Sequence, residues 1–411
     1  MKRDAFNPRG DGFDGAFKAA FGGIYAGRRV LVTGHTGFKG SWLALWLRAL
    51  GAQVSGLALP AVGAPNHCRL LALPMEEALI DLRDAGAVKL ALQRLAPEII
   101  IHLAAQPLVR HSYREPLATW ASNVMGLVNL YEAVRVTPSV RALVNVTSDK
   151  CYSQGPSHRP FTESDALGGH DPYSASKACA ELVSASYRAS FFSHDDGRGH
   201  CVGLATARAG NVIGGGDWGE DRLVPDLVRS VAAGQSISIR NPQATRPWQH
   251  VLDPLAGYLM LGQRLWQQPE LDGQAWNFGP DGIGHIHVGE LVARLAALWP
   301  QIRCEFGPEP GSEAPPHEAP WLALDCSKAK AQLGWRPVWD IHAALERTAQ
   351  WYRRLHQHAQ VGSHDDLLQY WQDACAMGLA WTGSAAPAAS VAQPGSRAWL
   401  DSLASAATRA A

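Results

Sequence analysis

Residues 28–43 read Arg-Arg-Val-Leu-Val-Thr-Gly-His-Thr-Gly-Phe-Lys-Gly-Ser-Trp-Leu, and the fold follows from this stretch. Residues 30–32 form a short apolar run of the kind that makes a buried strand. Gly34, Gly37 and Gly40 follow at GxxGxxG spacing, and 42–50 is an apolar helix. Strand, glycine turn and helix together bring free backbone N–H groups and the positive end of a helix dipole to one point. That point suits a phosphate group, and the glycines let the backbone approach it closely. The stretch therefore predicts a dinucleotide-binding βα unit.

Working outward, the same rhythm repeats. Strands are expected at Gln53–Ala58, 78–81, 98–103, Ala142–Val146 and 203–207, with helices at 88–95, 120–134 and 173–187. Alternating strands and helices predict an α/β fold, a Rossmann-like doubly wound parallel sheet. After residue 220 the rhythm breaks into proline-interrupted segments, with a short strand at 237–240 and a helix at Val288–Leu298. This is the composition of a smaller C-terminal α/β substrate lobe, closed by helices at 325–333 and 341–352. The expected division is 1–27 an N-terminal extension, poorly ordered apart from a short amphipathic piece at 17–25; 28–205 the dinucleotide domain; 206–355 mainly the substrate lobe, with some return to the main sheet; and 356–411 a C-terminal extension, partly disordered. From about Ala385 that extension is rich in Ala, Ser, Pro and Gly.

Bulk properties narrow the function. The 411 residues carry 37 basic and 37 acidic side chains, a formal charge of zero, which argues against a broad nucleic-acid surface. No apolar run is long enough to span a membrane, and residues 1–27 lack the apolar core of an export signal. The cysteine count is odd at seven with no CxxC pair, so neither a disulfide framework nor a metal site is expected. A cytoplasmic location fits.

Chemistry is expected beyond the carboxyl ends of the strands. There stand Leu103, Ala104, Ala105 and Gln106 after one strand, and Thr147-Ser148-Asp149-Lys150 after the next. Tyr173 and Lys177, four apart, share one helix face. A lysine ammonium beside a phenol lowers its pKa, making the phenolate a base for an alcohol hydroxyl. Ser148 is placed to bond the same hydroxyl. Asp149 and Lys150 add an acid and an amine that a plain hydride-transfer enzyme does not need. Asp81-Leu82 could meet an adenine or be a solvated strand end. The second strand ends in Leu59-Pro60, with neither acid nor arginine, which leaves NAD and NADP both open at that position. Arg208, Asn211 and Arg246 are expected to face the pocket from the lobe, where an arginine fork matches a pyrophosphate.

VTGHTGFKGSWLALWL, HLAAQPLVRHSYREP, NVTSDKCY, DPYSASKACAE, ARAGNVIGGGDW and RPWQHVLDPLAGYL run from about residue 28 to 355. Together they resemble the CDP-glucose 4,6-dehydratases, a family of extended short-chain dehydrogenase/reductases. Lysine as the third member of Ser148-Asp149-Lys150 resembles the CDP-sugar branch, where relatives acting on other nucleotides usually have Thr-Asp-Glu. The resemblance implies a lyase in deoxysugar and O-antigen/lipopolysaccharide biosynthesis that uses NAD on a nucleotide sugar. It implies that Gly34, His35, Thr36, Gly37, Phe38, Lys39, Gly40, Asp81, Leu82, Leu103, Ala104 and Ala105 hold the cofactor, together with Tyr173 and Lys177. It further implies that Ser148, Asp149, Lys150, Tyr173 and Lys177 are catalytic, and that Gln106, Arg208, Asn211 and Arg246 hold the substrate. A homodimer or higher homo-oligomer, paired through the helices at 120–134 and 173–187, would follow the relatives. Which of Asp149 and Lys150 acts at C5 of the sugar stays open. So do a 4-epimerase, a dehydratase for another nucleotide sugar, and a non-catalytic NAD sensor.

Overall fold

In the computed structural model the described residues are 15–155, 159–192, 201–239, 241–268, 273–282, 285–307 and 322–383. The apolar runs become the buried strands β1 (Arg29–Thr33), β2 (Gln53–Ala58), β4 (Ile99–His102), β5 (Ala142–Val146), β6 (Gly203–Ala209) and β7 (Ala275–Phe278), with the mostly exposed β3 (Glu76–Leu79) at the edge. They form one parallel sheet in the order β3-β2-β1-β4-β5-β6-β7. The order reverses between β1 and β4. That reversal opens a crevice beyond the carboxyl ends of the strands, where ligands of such sheets bind.

Several boundaries moved, each for a physical reason. β3 sits two residues before the expected 78–81, because its register with β2 pairs Ser55 with Glu76 and Ala58 with Leu79. β6 runs on to Ala209 because β7 pairs with it there. β7 itself was not foreseen, although it comes from the stretch expected to return to the sheet. The helix expected at 120–134 is three pieces: Pro116–Trp120, a π-turn at Ala121–Met125, and Gly126–Arg135.

Helices Leu223–Ala233 and Leu252–Gln267 were masked in the sequence by Pro225 and Pro254. Both prolines lie in the first helical turn, where their missing N–H has no intrahelical acceptor in any case. Leu252–Gln267 is then buried along most of its length behind the sheet. Three two-stranded pieces complete the lobe. They are Val212–Ile213 with Gln249–His250, Thr245–Pro247 with His285–His287, and Ile237–Ile239 with Cys304–Phe306. Arg240, the end of the expected 237–240 strand, lies outside the described residues.

The extensions are corrected where they are described. Phe17, Phe21 and Tyr25 are core residues, not part of a loose arm. Phe21 stacks on Trp381 at 4.9 Å and meets Trp46 edge-on at 6.0 Å, while Phe17 lies 5.3 Å from Trp371. Tyr25 donates from its hydroxyl to the Leu259 carbonyl at 2.6 Å. Helix Ile341–His358 continues into Ser363–Ala376, and the 3₁₀ turn Ala380–Thr382 closes against the N-terminal segment. Residues 1–14 and the Ala/Ser-rich 384–411 lie outside the described residues. No helix among the described residues is long and apolar enough to cross a membrane.

Candidate active site

The glycine turn is built as a cradle. Gly34 adopts φ +74°, and a Cβ there would stand 2.9 Å from the Ala104 backbone. Gly40 packs so tightly on the Gly34 carbonyl that a Cβ would come within 2.1 Å of its oxygen. Gly37 caps helix Phe38–Ala49 without a side-chain hydrogen bond, so the first-turn amides of Phe38, Lys39 and Gly40 have no intrahelical acceptor. Thr33 Oγ1 accepts from the Leu103 and Ala104 amides at 3.1 and 3.2 Å, fixing the neighbouring loop, with Ala105 half-buried beside it. Open amides at a dipole end beside a wall of small residues suit a dinucleotide pyrophosphate.

Not every residue of the turn faces that cradle. The His35 ring lies over Gly56, where a Cβ would meet it at 2.4 Å, and Nε2 bonds Glu77 at 2.8 Å. Burial pushes its pKa down, and the imidazole packs over β2 with its Nε2 on Glu77 of β3. Thr36 donates to the Leu59 carbonyl at 3.0 Å, closing the end of β2. Lys39 reaches the other way, with Nζ 3.4 Å from the Tyr258 hydroxyl. Burial, then the nearby Arg222 charge, lower it to about 8.

The catalytic candidates come together at the ends of β5 and of helix Pro172–Tyr187. Asp171 caps that helix, accepting from the Ser174 amide at 2.9 Å, and Pro172 starts it, so Tyr173 sits in its first turn. Beyond β5, Asp149–Cys151 is a 3₁₀ turn whose cap, Ser148 Oγ, accepts from the Lys150 amide at 3.2 Å. Ser148 Oγ donates to Asp149 Oδ1 at 3.1 Å and lies near enough to Tyr173 to pull the phenol's pKa down. Tyr173, Ser148 and Asp149 thus line up as one polar string. Asp149 is 2% exposed, and its Oδ2 has no hydrogen-bond partner. Burial raises its pKa, against the opposing pull of Lys150, Ser148, Lys39 and Arg246, which favours a protonated carboxyl.

The pairing expected of Tyr173 and Lys177 is corrected in part. Both sit on one helix face, but Lys177 Nζ donates to the Val146 carbonyl at 3.2 Å. Burial lowers it to about 8. Burial likewise pushes the Tyr173 phenol up to about 12, opposed by its bond to Ser148 and by the Arg222 charge. In the chain by itself the phenol is therefore not brought toward neutrality. Arg222, which the sequence did not single out, is held by Asp217 at 2.9 Å. Nothing at i, i+5 spacing before a helix marks such a pair in a sequence.

Two residues expected at the substrate are structural. Arg208 is buried, donating to Glu181 and the Tyr152 hydroxyl at 2.8 Å each. Glu181 also accepts from Thr147 and Thr206, making a closed network under the sheet end. Gln106 folds its amide back onto Thr119 at 2.9 Å and the Leu108 carbonyl at 3.1 Å. Arg246 stays at the site: it is close enough to Asp149 to act on its charge, and it donates to the Thr245 carbonyl at 3.0 Å. The Asn211 carbonyl accepts from the Gln249 amide at 3.3 Å, at the lobe's mouth. Asp81 is gripped by Arg83, and Leu82 is buried with its carbonyl bonded by Asn129 at 2.9 Å. Among the described residues no group of His, Cys, Asp and Glu could hold a metal ion.

Sheet order, cradle and polar string define a class of protein. The model of the NAD dependent epimerase/dehydratase family matches residues 30–279, and the chain belongs to that family. It is 46% identical over 332 residues to the CDP-glucose 4,6-dehydratase of Salmonella typhimurium, covering 80% of this chain and 92% of that one. A dTDP-glucose 4,6-dehydratase of Xanthomonas campestris is 28% identical over 78% of this chain and 92% of its own. Among solved structures, a dTDP-glucose 4,6-dehydratase from Streptomyces venezuelae with NAD bound superposes with a TM-score of 0.64 at 25% identity, covering 79% of this chain and 96% of that one.

Proposed function

We propose that the protein is a CDP-glucose 4,6-dehydratase, converting CDP-D-glucose to CDP-4-keto-6-deoxy-D-glucose and water. The observation that carries this reading is the Ser148-Asp149-Lys150 turn, which adds a buried acid with one free oxygen to the Tyr173/Ser148 pair. NAD held by the glycine cradle would supply a store from which hydride taken at C4 can be given back at C6. The chain's own residues do the rest. Tyr173 takes the 4-hydroxyl proton while Ser148 holds that oxygen. The resulting ketone acidifies C5, and Lys150, in its neutral form, removes the C5 proton. Asp149 gives its proton to the departing C6 hydroxyl, the C5 electron pair closes the C5–C6 double bond, and once hydride is restored at C6 the proton held by Lys150 goes back to C5. Lys177 serves the nicotinamide ribose and Tyr173, and Arg246 and Asn211 serve the diphosphate. The family name and the 46% identical relative support the cofactor and the base.

The test is one assay of purified protein with NAD against CDP-, dTDP-, UDP- and GDP-hexoses, scoring 4-keto product and loss of water. The 4-keto-6-deoxy sugar from CDP-glucose alone is expected. A C4 epimer instead would make the protein an epimerase, which has no use for Asp149 and Lys150 as an acid–base pair.

The chain would act as a homodimer in the cytoplasm, feeding deoxysugar and O-antigen biosynthesis. Leu182 at 59% exposed and Met125 at 53% stand on the helical segments expected to pair. Light scattering on the purified protein is expected to give twice the chain mass or a multiple of it.

A further inference from the structure

Tyr173, Lys177 and Glu181 stand at i, i+4 and i+8 along one face of helix Pro172–Tyr187, and all three are buried. The first two belong to the reaction proposed above. Glu181 lies one turn further on, against the sheet, and nothing in that reaction uses it. It accepts from Thr147 at the end of β5, from Thr206 of β6 at 2.7 Å and from Arg208 at 2.8 Å. A buried ion pair is a poor device for stability. Taking both charges out of water costs about what their attraction returns, and an apolar pair of similar size serves as well. What the pair touches accounts for it better.

Thr147 is the link. The residue before it, Val146, gives its carbonyl to Lys177 Nζ at 3.2 Å. The residue after it, Ser148, stands near enough to Tyr173 to act on the phenol. Holding Thr147 therefore fixes both contacts between the strand end and the catalytic helix. Charge adds to this. Burial lowers Lys177 to about 8, and the Cys151 thiol and the Glu181 carboxylate are set against that fall. Burial pushes the thiol up, so it stays neutral and the carboxylate is the charge that counts. The other titratable groups facing Lys177 supply no anion. Burial lowers His102, at the end of β4, to about 3 and pushes Tyr173 up to about 12, while Lys39 of the glycine turn adds a positive charge that works the other way.

We propose that Glu181 is a positioning residue of the reaction: through Thr147 it pins the end of β5 to the catalytic helix, and from the next helical turn its carboxylate keeps Lys177 an ammonium. Arg208 holds Glu181 in place. The proposal rests on the roles given above to Tyr173, Lys177 and Ser148.

Glu181→Gln combined with Arg208→Met removes both charges together, so neither is left buried alone, and the Gln carbonyl can still accept from Thr147. The readout is reduced nicotinamide formed from CDP-glucose in a single turnover of the NAD-loaded protein. Its alkaline limb is expected to move down from about 8 by about one pH unit. The sign follows from the charge: without the anion, Lys177 loses its proton at lower pH. KM for CDP-glucose should stay as in wild type. Thr147→Val takes away the clamp and leaves the charges, so it should slow the same oxidation about 10-fold with the limb still near 8. In a Lys177→Arg background the double change should move no limb. A merely structural role would lower the denaturation midpoint and leave limb and rate alone. A limb that stays put in the double variant, a Thr147→Val rate equal to wild type, or a limb that moves in the Lys177→Arg background overturns the proposal. Should the double variant fail to fold, Thr147→Val decides by its rate.

The charge can also be read without turnover. In a lysine-selective NMR titration of the NAD-loaded protein, the Lys177 signal is identified by its loss in Lys177→Arg. Its midpoint is expected near 8 in wild type and about one unit lower in the double variant, and an unmoved midpoint overturns the proposal. If the midpoint moves as expected but wild type forms no reduced nicotinamide with any nucleotide sugar, it is the dehydratase reading that fails.

Discussion

At the scale of single residues, the proposed mechanism separates oxidation from water loss. It gives the C4 hydroxyl proton to Tyr173, so Tyr173→Phe should abolish the first oxidation, and no reduced nicotinamide should appear in single-turnover absorbance. Lys150→Ala should leave that oxidation intact and block the next step, trapping reduced cofactor with a 4-keto-glucose sugar; normal 6-deoxy product from it would remove Lys150 from the chemistry. The two lysines of the site differ in what they can bear. Lys177 is lowered to about 8 by burial, so it is an ammonium below that pH and neutral above it. A role that needs its charge predicts that turnover falls as pH rises through about 8. Lys177→Arg keeps a cation at every accessible pH, so its residual activity should lack this alkaline limb. Ser148, Asp149, Lys150, Tyr173 and Lys177 were singled out as candidates by residue type and spacing. Arg208 and Gln106 were misread, because a sequence shows a side chain's donors but not the partners that tertiary packing gives them.

At the scale of elements, the reading was secure where local chemistry decides and weak where pairing decides. Gln53–Ala58, Ala142–Val146 and Val288–Leu298 were bounded correctly by their apolar patterns and flanking breakers. β3 slipped, because an edge strand with little apolar content takes its register from its neighbour. Pro225 and Pro254 read as interruptions but act as helix starters. The junction of β5, β6 and the catalytic helix is tied by Glu181, which collects Arg208, Thr147 and Thr206 below the active turn. Arg208→Met leaves that carboxylate buried and short of its cation. It should destabilise the protein by about 3–5 kcal/mol in urea denaturation. The KM of the folded fraction should be unchanged, whereas a substrate-binding role for Arg208 would raise it.

At the scale of the molecule, the chain segments before the first strand and after the last long helix close one aromatic cluster. Phe21 sits within it, between Trp46 and Trp381. Phe21→Ala should cost about 3–5 kcal/mol of stability, read as a lowered denaturation midpoint. A freely attached arm would lose nothing. The sequence by itself determined the doubly wound sheet and the glycine cradle, and it singled out the candidate side chains. Strand periodicity, glycine spacing and the Tyr–Lys interval are local properties that survive without knowledge of the partner. Only the tertiary structure decided that Phe17, Phe21 and Tyr25 and, from the other end of the chain, Leu367, Tyr370 and Trp381 belong to the core, that β7 returns to the sheet, and that Arg208 serves Glu181. Those facts depend on which distant surfaces meet.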